Sequence, residues 1–357
     1  MKYRISYLYV LILLFSCLNE HQSTIVDSIN IPLDSITSSQ TDYVLLEQTH
    51  NRFFIKSPIN NSFEVYDWSN KEKIASIYTP RHLIQGGKNQ SLTYVNRDTI
   101  LLLQRDNGNV FYANEYGHLY DKLDAGLKAL PHFSTTTNPP IYYRGRLFVS
   151  VLPNISSKEY DFINNSYAIE YIFDIRTKSF DQVTLVLPKQ TNLFETGLRH
   201  NIATRSFANG KLNYVWGGSS DVLQFDLDNH QQTMFRKSGD SLKLTRYQGE
   251  YLSHKDQQSY YFEHEVYDHI SYDAYRKVYY IYLLDADASI LHKFQRGFTI
   301  FKSNEKFELV SKKHFQKDLY VFDNELITKD GLYLSTNNPF SQTNNENMMT
   351  YVRINLE

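Results

Sequence analysis

The densest group of potential metal ligands in the sequence is residues 263–269, which read Glu-His-Glu-Val-Tyr-Asp-His. In a helix, His264 and His269 are five residues apart and about 140° from a common face, so they do not form a zinc-binding pair of histidines four residues apart. In a strand, His264 and Asp268 share a face but lie about 13 Å apart, too far for both to hold one ion. We therefore interpret this segment as a polar loop that enters a strand.

A second acidic run, Asp285-Ala-Asp287-Ala-Ser289, begins like a calcium-binding loop. The sixth position of such a loop needs a glycine and the twelfth an acidic residue, but here they are Ile290 and Arg296. The run is therefore interpreted as a solvated loop. The sequence also contains no glycine-rich phosphate cradle, no nucleophile elbow and no paired-cysteine motif. It predicts no cofactor and no defined metal site, and it identifies no catalytic residue.

A more dispersed set of candidates lies in the segments that separate successive groups of predicted strands. Five histidines fall in or beside those segments, and a ring of imidazoles could bind a metal ion or an acidic ligand if the segments meet at one face of a propeller. Arginine, tryptophan and glutamate residues occupy comparable positions. The candidate pocket lining is therefore Arg81, His82, His132, Arg199, His200, Trp216, Glu263, His264 and His314.

The elements that would position these residues are short strands. Residues 63–77 read as two strands joined by a tight polar turn, because Phe63 and Val65 alternate with polar residues and Ile74 and Ile77 resume the pattern after the turn. The composition favours the same class, since 15% of the 357 residues are aromatic. A formal net charge of −2 provides no basic surface for nucleic acid, so we expect no nucleic-acid partner.

From Tyr43 onwards the strand pattern recurs in groups of four. The last group offers only three predicted strands, at 319–326, 331–335 and 349–354. The segment Ser28 to Asp34 precedes the first group and is the right length to supply the missing strand. The count predicts an all-β, six-bladed β-propeller whose last blade is closed by an N-terminal strand. The alternatives are a seven-bladed propeller and a β-sandwich with a small second domain.

The first residues indicate export. Lys2 and Arg4 precede an apolar run, and Leu14-Phe15-Ser16-Cys17 ends it in a pattern similar to the lipobox of bacterial lipoproteins. Cys17 would then be acylated and become the mature N-terminus, although an ordinary signal peptide and an uncleaved anchor are alternatives. The predicted organisation is a lipoprotein signal peptide at 1–17, a tether at 18–27 and a propeller domain at 28–357. Cys17 is the only cysteine, so no internal disulfide is available.

The fifth group of predicted strands contains a short motif that resembles a known protein family. Ile270-Ser-Tyr-Asp273 followed by Arg276-Lys-Val-Tyr-Tyr280 forms a predicted hairpin. Together with the lipobox and six irregular blades, this hairpin resembles an uncharacterised family of Bacteroidetes lipoproteins, a domain of unknown function with a TolB-like six-bladed β-propeller fold. The resemblance extends over nearly the whole mature chain. It implies the fold and a location in the cell envelope, lipid-anchored at the outer membrane, but it supplies no activity and no catalytic residue.

These observations predict a membrane-tethered envelope lipoprotein whose propeller serves as a binding or scaffold module for a glycan, a peptide or an envelope protein. One alternative is a glycan-processing hydrolase or lyase whose site residues come from several blades. Two carboxylates about 5 to 9 Å apart in a central pocket would favour this alternative. Another is a purely structural envelope component. The sequence does not rank these ligands, and it leaves open whether the protein is an enzyme.

Overall fold

The structure is a computed structural model. It describes residues 25–41, 43–57, 61–78, 90–104, 109–123, 138–150, 167–177, 179–185, 203–235, 242, 244–245, 253–342 and 344–357. Most of these residues lie in short antiparallel strands, as the alternating pattern and the aromatic content predict. Within the described ranges, no helix has the length and apolar character that a membrane crossing would require.

The strands are short and even in length. In the first half of the chain they are β1 (Ile25–Pro32), β2 (Val44–Glu47), β3 (Arg52–Ser57), β4 (Ser62–Asp67), β5 (Lys73–Tyr78), β6 (Gln90–Asn96), β7 (Thr99–Gln104), β8 (Val110–Ala113), β9 (Leu119–Leu123), β10 (Ile141–Tyr143), β11 (Arg146–Ser150) and β12 (Tyr167–Asp174). In the second half they are β13 (Ser179–Leu185), β14 (Ala203–Ala208), β15 (Lys211–Trp216), β16 (Val222–Asp226), β17 (Gln232–Phe235), β18 (Val266–Asp273), β19 (Val278–Leu284), β20 (Phe298–Asn304), β21 (Leu309–Phe315), β22 (Val321–Thr328), β23 (Gly331–Ser335) and β24 (Met348–Ile354). One α-helix, α1 (His254–Glu263), and one 3₁₀ helix (Lys293–Gln295) accompany them among the described residues.

The described strands form six four-stranded sheets, here called blades one to six. Blades one to five take consecutive strands, from β2–β5 to β18–β21, and blade six has the order β22, β23, β24, β1. The first strands of neighbouring blades approach one another, as β14 and β18 do, so the first strand of each blade lies nearest the axis. The fold is therefore a six-bladed β-propeller, as predicted, rather than a seven-bladed ring or a sandwich.

The core is divided among the gaps between blades. Each of six buried apolar clusters joins one blade to the next, and the sixth joins blade six back to blade one through Tyr351 and Phe53. Because every blade buries both faces against a neighbour, apolar side chains are needed on both faces of the middle strands. That requirement explains why β7 and β19 are nearly continuous apolar runs.

Ring closure depends on the N-terminal strand. β1 pairs antiparallel with β24, from Ile25 opposite Ile354 to Pro32 opposite Met348. Ile31 on β1 is fully buried in the cluster between blades six and one. The predicted completion of the three-stranded last group by the segment at 28–34 is thus confirmed, and the described strand begins three residues earlier than predicted.

Two faces of the ring can be distinguished by strand direction. Val266, Leu284, Phe298 and Phe315 lie side by side across blade five, so β18 begins, β19 ends and β20 begins at one edge. We call the face with this edge the upper face. The hairpin turn that follows Asp273 lies on the opposite, lower face.

The long polar segment before blade five contains α1, which the sequence did not predict. Ser253 caps the first turn by accepting a hydrogen bond from the Asp256 backbone. At the other end, the guanidinium of the buried Arg296 donates to the carbonyl oxygens of Tyr261 and His264. Ser253 thus stabilises one end of the helix locally and Arg296 holds the other end to blade five, which explains how a mostly polar segment forms a stable helix.

Blades three and four are joined by a buried ion pair. Arg205 on β14 and Glu170 on β12 have no exposed side-chain surface, and Tyr214 donates a further hydrogen bond to Glu170 over 3.0 Å. The remaining guanidinium donors of Arg205 reach the carbonyls of Pro139 and Phe148. The charges are thus satisfied without water, and the pair fixes the relative position of the two blades.

Candidate functional site

The first strands of blades five and six both depart from regular pairing near their upper ends. In β18 the register with β19 shifts between Tyr267 and His269, which leaves Asp268 without a partner residue. In β22 the register with β23 shifts between Val321 and Glu325. Such bulges redirect side chains and are frequent beside functional sites. Here two such bulges lie in the first strands of neighbouring blades, next to the axis.

Polar and charged side chains from four elements meet at these bulges. β18 contributes Asp268 and His269, β22 contributes Asp323 and Glu325, and the 3₁₀ helix between β19 and β20 contributes Lys293. Tyr261 of α1 donates a hydrogen bond to Asp268 over 3.2 Å. We call the five charged residues the bulge site.

Lys293 occupies the middle of the site. Its ammonium nitrogen lies 2.5 Å from a carboxylate oxygen of Asp323 and 3.9 Å from one of Asp268. The aromatic rings of Phe294 and Phe322 lie 5.1 and 5.2 Å from the same nitrogen. Burial opposes the charge of Lys293, but the two carboxylates outweigh burial and raise the pKa of Lys293 above its ordinary value. Lys293 is therefore a permanent cation that bridges the two blades.

His269 and Glu325 form the second interaction between these blades. The Nε2 atom of His269 lies 3.0 Å from a Glu325 carboxylate oxygen, and the two side chains are 14% and 10% exposed. Tyr282 donates its hydroxyl to the other oxygen of Glu325. Burial opposes protonation of the imidazole, but the charge of Glu325 outweighs it and raises the pKa of His269. The protein therefore favours the protonated imidazole more than water does.

Two polar atoms of the site have no hydrogen-bond partner among the described residues. They are Oδ2 of Asp268 and Nδ1 of His269, and both are buried. An unpaired buried polar atom costs about 1–3 kcal/mol, so such atoms mark places where a ligand group or a water molecule would bind favourably. The two atoms are an acceptor and a nitrogen that donates or accepts according to its tautomer.

The rim next to the bulge site is apolar and exposed. Leu291 is 80% exposed and Phe340 is 42% exposed, which is unusual for large apolar side chains. The imidazole of His292 lies between the rings of Phe294 and Phe340, with centroid distances of 5.1 Å to each. Flat aromatic surfaces beside hydrogen-bonding groups suit a ligand that is apolar on one face and polar at its edge.

The site is not arranged for a metal ion. Within the described residues, no group of three or more His, Cys, Asp or Glu side chains is close enough to hold one. Lys293 lies between the carboxylates of Asp268 and Asp323, where a cation would otherwise bind. The arrangement can instead accept hydrogen bonds through its carboxylates and exchange a proton through His269.

Four of the residues predicted to line a pocket fall within the described part of the chain: Trp216 in blade four, His314 in blade five, and Glu263 and His264 at the end of α1. The Nδ1 and Nε2 atoms of His264 lie 2.9 Å from the Tyr260 carbonyl and 2.7 Å from the Thr245 hydroxyl. Trp216 is buried at the upper end of β15, and Glu263 is the exposed last residue of α1. His314 lies on the outermost strand β21, 2.7 Å from Asp285.

The remaining candidates, Arg81, His82, His132, Arg199 and His200, lie outside the described residues, as does Cys17. The predicted ring of histidines therefore stays a prediction. His264 lies at the end of α1, before the innermost strand of blade five, whereas His314 lies on the outermost strand, and the two contact different partners.

The sequence analysis drew attention to Asp268 and His269 but not to their partners. Asp323 and Glu325 flank Asn324 in β22, so in the sequence they form only a short polar run between Phe322 and Leu326. Their position beside the axis depends on the bulge, which has no sequence signal here. Two acidic residues within the predicted strand at 319–326 were the indication that the sequence offered.

The comparison with solved structures supports the predicted resemblance. A crystal structure of a member of the DUF4221 family from Bacteroides vulgatus aligns with a TM-score of 0.72 and 15% sequence identity, over 93% of this chain and 97% of that chain. The two proteins share one fold. The resemblance inferred from the hairpin is thus confirmed, and at this identity it establishes the fold alone.

Two further solved propellers match more distantly. A luciferin-regenerating enzyme aligns with a TM-score of 0.49 and 10% identity, over 92% of this chain and 95% of that chain. The calcium-binding protein regucalcin from Agrobacterium tumefaciens aligns with a TM-score of 0.46 and 10% identity, over 90% of this chain and 91% of that chain. These matches are too distant to bear on function. No protein-family model and no curated protein sequence matches the chain.

Proposed function

We propose that the protein is a membrane-tethered envelope lipoprotein whose propeller binds a ligand at the bulge site. The observation that carries the proposal is the pair of adjacent bulges, which bring three carboxylates, an imidazole and an ammonium group to the axis. A structural ring alone has no use for charged groups at such positions, since burying them costs free energy. The lipobox at Leu14 to Cys17 supports the membrane tether.

Among the ligand classes that the sequence leaves open, a glycan fits this surface best. Sugar hydroxyls donate hydrogen bonds, and the Oδ2 atom of Asp268, which receives no hydrogen bond from the described residues, can accept one. The apolar face of a sugar ring can stack on an aromatic side chain, and Phe340 and His292 are exposed beside the site.

The proposal is tested by binding of bacterial envelope oligosaccharides to the purified protein, first on an array and then by titration calorimetry. In the double variant Asp268→Asn and His269→Gln, we expect the affinity for a bound glycan to fall about tenfold or more, because two hydrogen-bonding groups are altered. His314→Gln is the matched control, since it removes an exposed His–Asp pair from the same blade. Its affinity should stay within about twofold of the unsubstituted protein.

A glycan-processing enzyme is the second candidate, and the convergence of Asp268 and Asp323 on one ammonium group favours it. Two nearby carboxyl groups are the usual machinery of glycoside hydrolysis. The same titration distinguishes the candidates, since an enzyme would release new reducing ends from the bound glycan. Binding that is unaffected by the double variant, or failure to bind any oligosaccharide, would contradict a glycan site at the bulges.

A further inference from the structure

We propose that the lower face of blades five and six lies against the membrane and that the bulge site opens on the opposite side, away from the lipid. The inference rests on the proposed lipid anchor at Cys17 and adds an orientation to it. It follows from the direction of β1, from the length of chain between Cys17 and β1, and from the chemistry of the lower face.

β1 begins on the lower face. Its first residue, Ile25, lies opposite Ile354, and Ile354 lies opposite Leu332 next to the turn that joins β22 to β23. β1 then runs upward and ends at Pro32, opposite Met348. The chain therefore enters the propeller at the edge that is farthest from the bulge site.

The tether is too short to reverse this arrangement. Seven residues separate Cys17 from Ile25, so even a fully extended chain spans about 28 Å between them. A seven-residue strand such as β24 is about 23 Å long. To turn the upper face toward the lipid, nearly the whole tether would have to run straight along the outside of blade six. Holding every residue extended is entropically costly.

A pocket of about 190 Å³ lies on the lower face between blades five and six, close to the start of β1. Arg276, Lys302 and Arg353 line it, together with Asp330 and Glu357. A side chain at position 331 would crowd Arg353, because a Cβ atom there would lie 3.0 Å from the Nε atom of the guanidinium, so Gly331 leaves room for it.

The charges of this pocket match a lipid headgroup. Neither Lys302 nor Arg353 forms an ion pair with any residue in the described ranges. Arg276, by contrast, is held by Asp273 at 2.8 Å and by the Lys329 carbonyl at 2.7 Å. The two unpaired cations suit a phosphate, and the neighbouring carboxylates suit an ammonium group, as in a zwitterionic phosphoethanolamine headgroup. Basic side chains near a membrane surface are attracted to its phosphates.

The experiment uses the full-length acylated protein in vesicles of phosphatidylethanolamine and phosphatidylglycerol. Cys17 is the only native cysteine and is blocked by the lipid, so a fluorophore can be placed at one introduced cysteine. Lys329→Cys reports the lower face and Leu291→Cys the upper face, and both positions are exposed. With a nitroxide on the lipid headgroups, we expect several-fold stronger quenching of the label at position 329 than of the label at position 291.

Flotation of the vesicles tests the anchor separately, since the wild-type protein should float and Cys17→Ala should not. A protein that floats but shows equal quenching at the two positions, or stronger quenching at position 291, would overturn the orientation while leaving the anchor intact. Adding Lys302→Glu and Arg353→Glu should weaken quenching at position 329 without lowering the melting temperature by more than a few degrees. Unchanged quenching in that variant would overturn the role of the pocket.

Discussion

His269 provides the most direct test of the electrostatics at the residue scale. Burial opposes its charge, but Glu325 outweighs burial and holds the pKa of His269 above the ordinary value of 6.5. A raised pKa means that folding favours the protonated form. The resulting stabilisation is fully present below about pH 6.5 and is lost as the pH rises through the folded-state pKa. His269→Gln should therefore destabilise the protein more at about pH 6 than at about pH 9, as measured by urea unfolding.

The matched control for this prediction is His314→Gln. Solvent screens the exposed pair of His314 and Asp285, so its removal should change the free energy of unfolding by less than about 1 kcal/mol at either pH. If His269→Gln were equally destabilising at both pH values, the imidazole would not be charged by Glu325, and the two blades would be held together there by packing alone.

From the sequence it was possible to single out two residues of the bulge site, but not the residues that they contact. His269 and Asp268 stood out because they lie in a run of ligand-type side chains, whereas Lys293, Asp323 and Glu325 did not. Lys293 meets Asp323 across a gap between two blades, 30 residues along the chain. Neither the spacing nor the alternation of the sequence encodes that contact, because it depends on two bulges and on the angle between two sheets.

At the scale of single elements, α1 and the segment that anchors it are the most informative. Arg296 is buried, and its guanidinium donates to backbone carbonyls of the helix end and of β19 rather than to a carboxylate. Arg296→Met should leave those carbonyls without donors, at a cost of about 3 kcal/mol or more. We expect the amide hydrogens of residues 254–263 to lose protection from exchange before the strands of blade five do.

Lys317→Met is the control for that substitution. It also replaces a basic side chain with methionine on blade five, but Lys317 is 55% exposed and its contact with Asp287 spans 3.5 Å. Its effect on the free energy of unfolding should remain below about 1 kcal/mol. Uniform loss of exchange protection across blade five in Arg296→Met would contradict a local role in holding α1.

The strands were predicted well and the helix was not, for a physical reason. Gly331–Ser335 was predicted with its observed bounds, because a mostly apolar run bounded by polar turn residues is typical of a buried strand. The apolar residues of α1 are confined to Tyr260, Tyr261 and Phe262 in its last turns and do not recur every three or four residues. The helix is stable because Ser253 and Arg296 hold its ends, and the second of these contacts comes from a distant part of the chain.

At the scale of the whole molecule, closure by β1 is the feature on which stability should depend most. Ile31 has no exposed surface and packs in the cluster that joins blade six to blade one. Ile31→Ala removes buried methyl groups and should lower the free energy of unfolding by about 2–5 kcal/mol, as measured by chemical denaturation. The transition should remain a single one if the blades unfold together.

Ile74→Ala is the matched control, because Ile74 also lies on the outermost strand of its blade but is 42% exposed. Its substitution should cost less than about 1 kcal/mol. Similar losses in the two variants would mean that the seam between blades six and one contributes no more to stability than the outer surface of the ring.

The overall architecture could be predicted because it follows from the number and grouping of the predicted strands. Five groups of four strands, a sixth group of three and one strand left over at Ser28 to Asp34 allow a closed ring. The face at which β1 enters the ring could not be predicted, since it depends on the direction in which β1 runs along β24.

The pairing of β1 with β24 also sets the order in which the molecule can form. β1 is synthesised before all the other strands and its partner is synthesised last, so blades one to five can fold as the chain emerges while blade six must wait. Until then the apolar edges of blades one and six remain exposed, and the final step closes a loop of more than 300 residues. We therefore expect folding to end with the pairing of β1 and β24, because that contact joins strands far apart in the sequence.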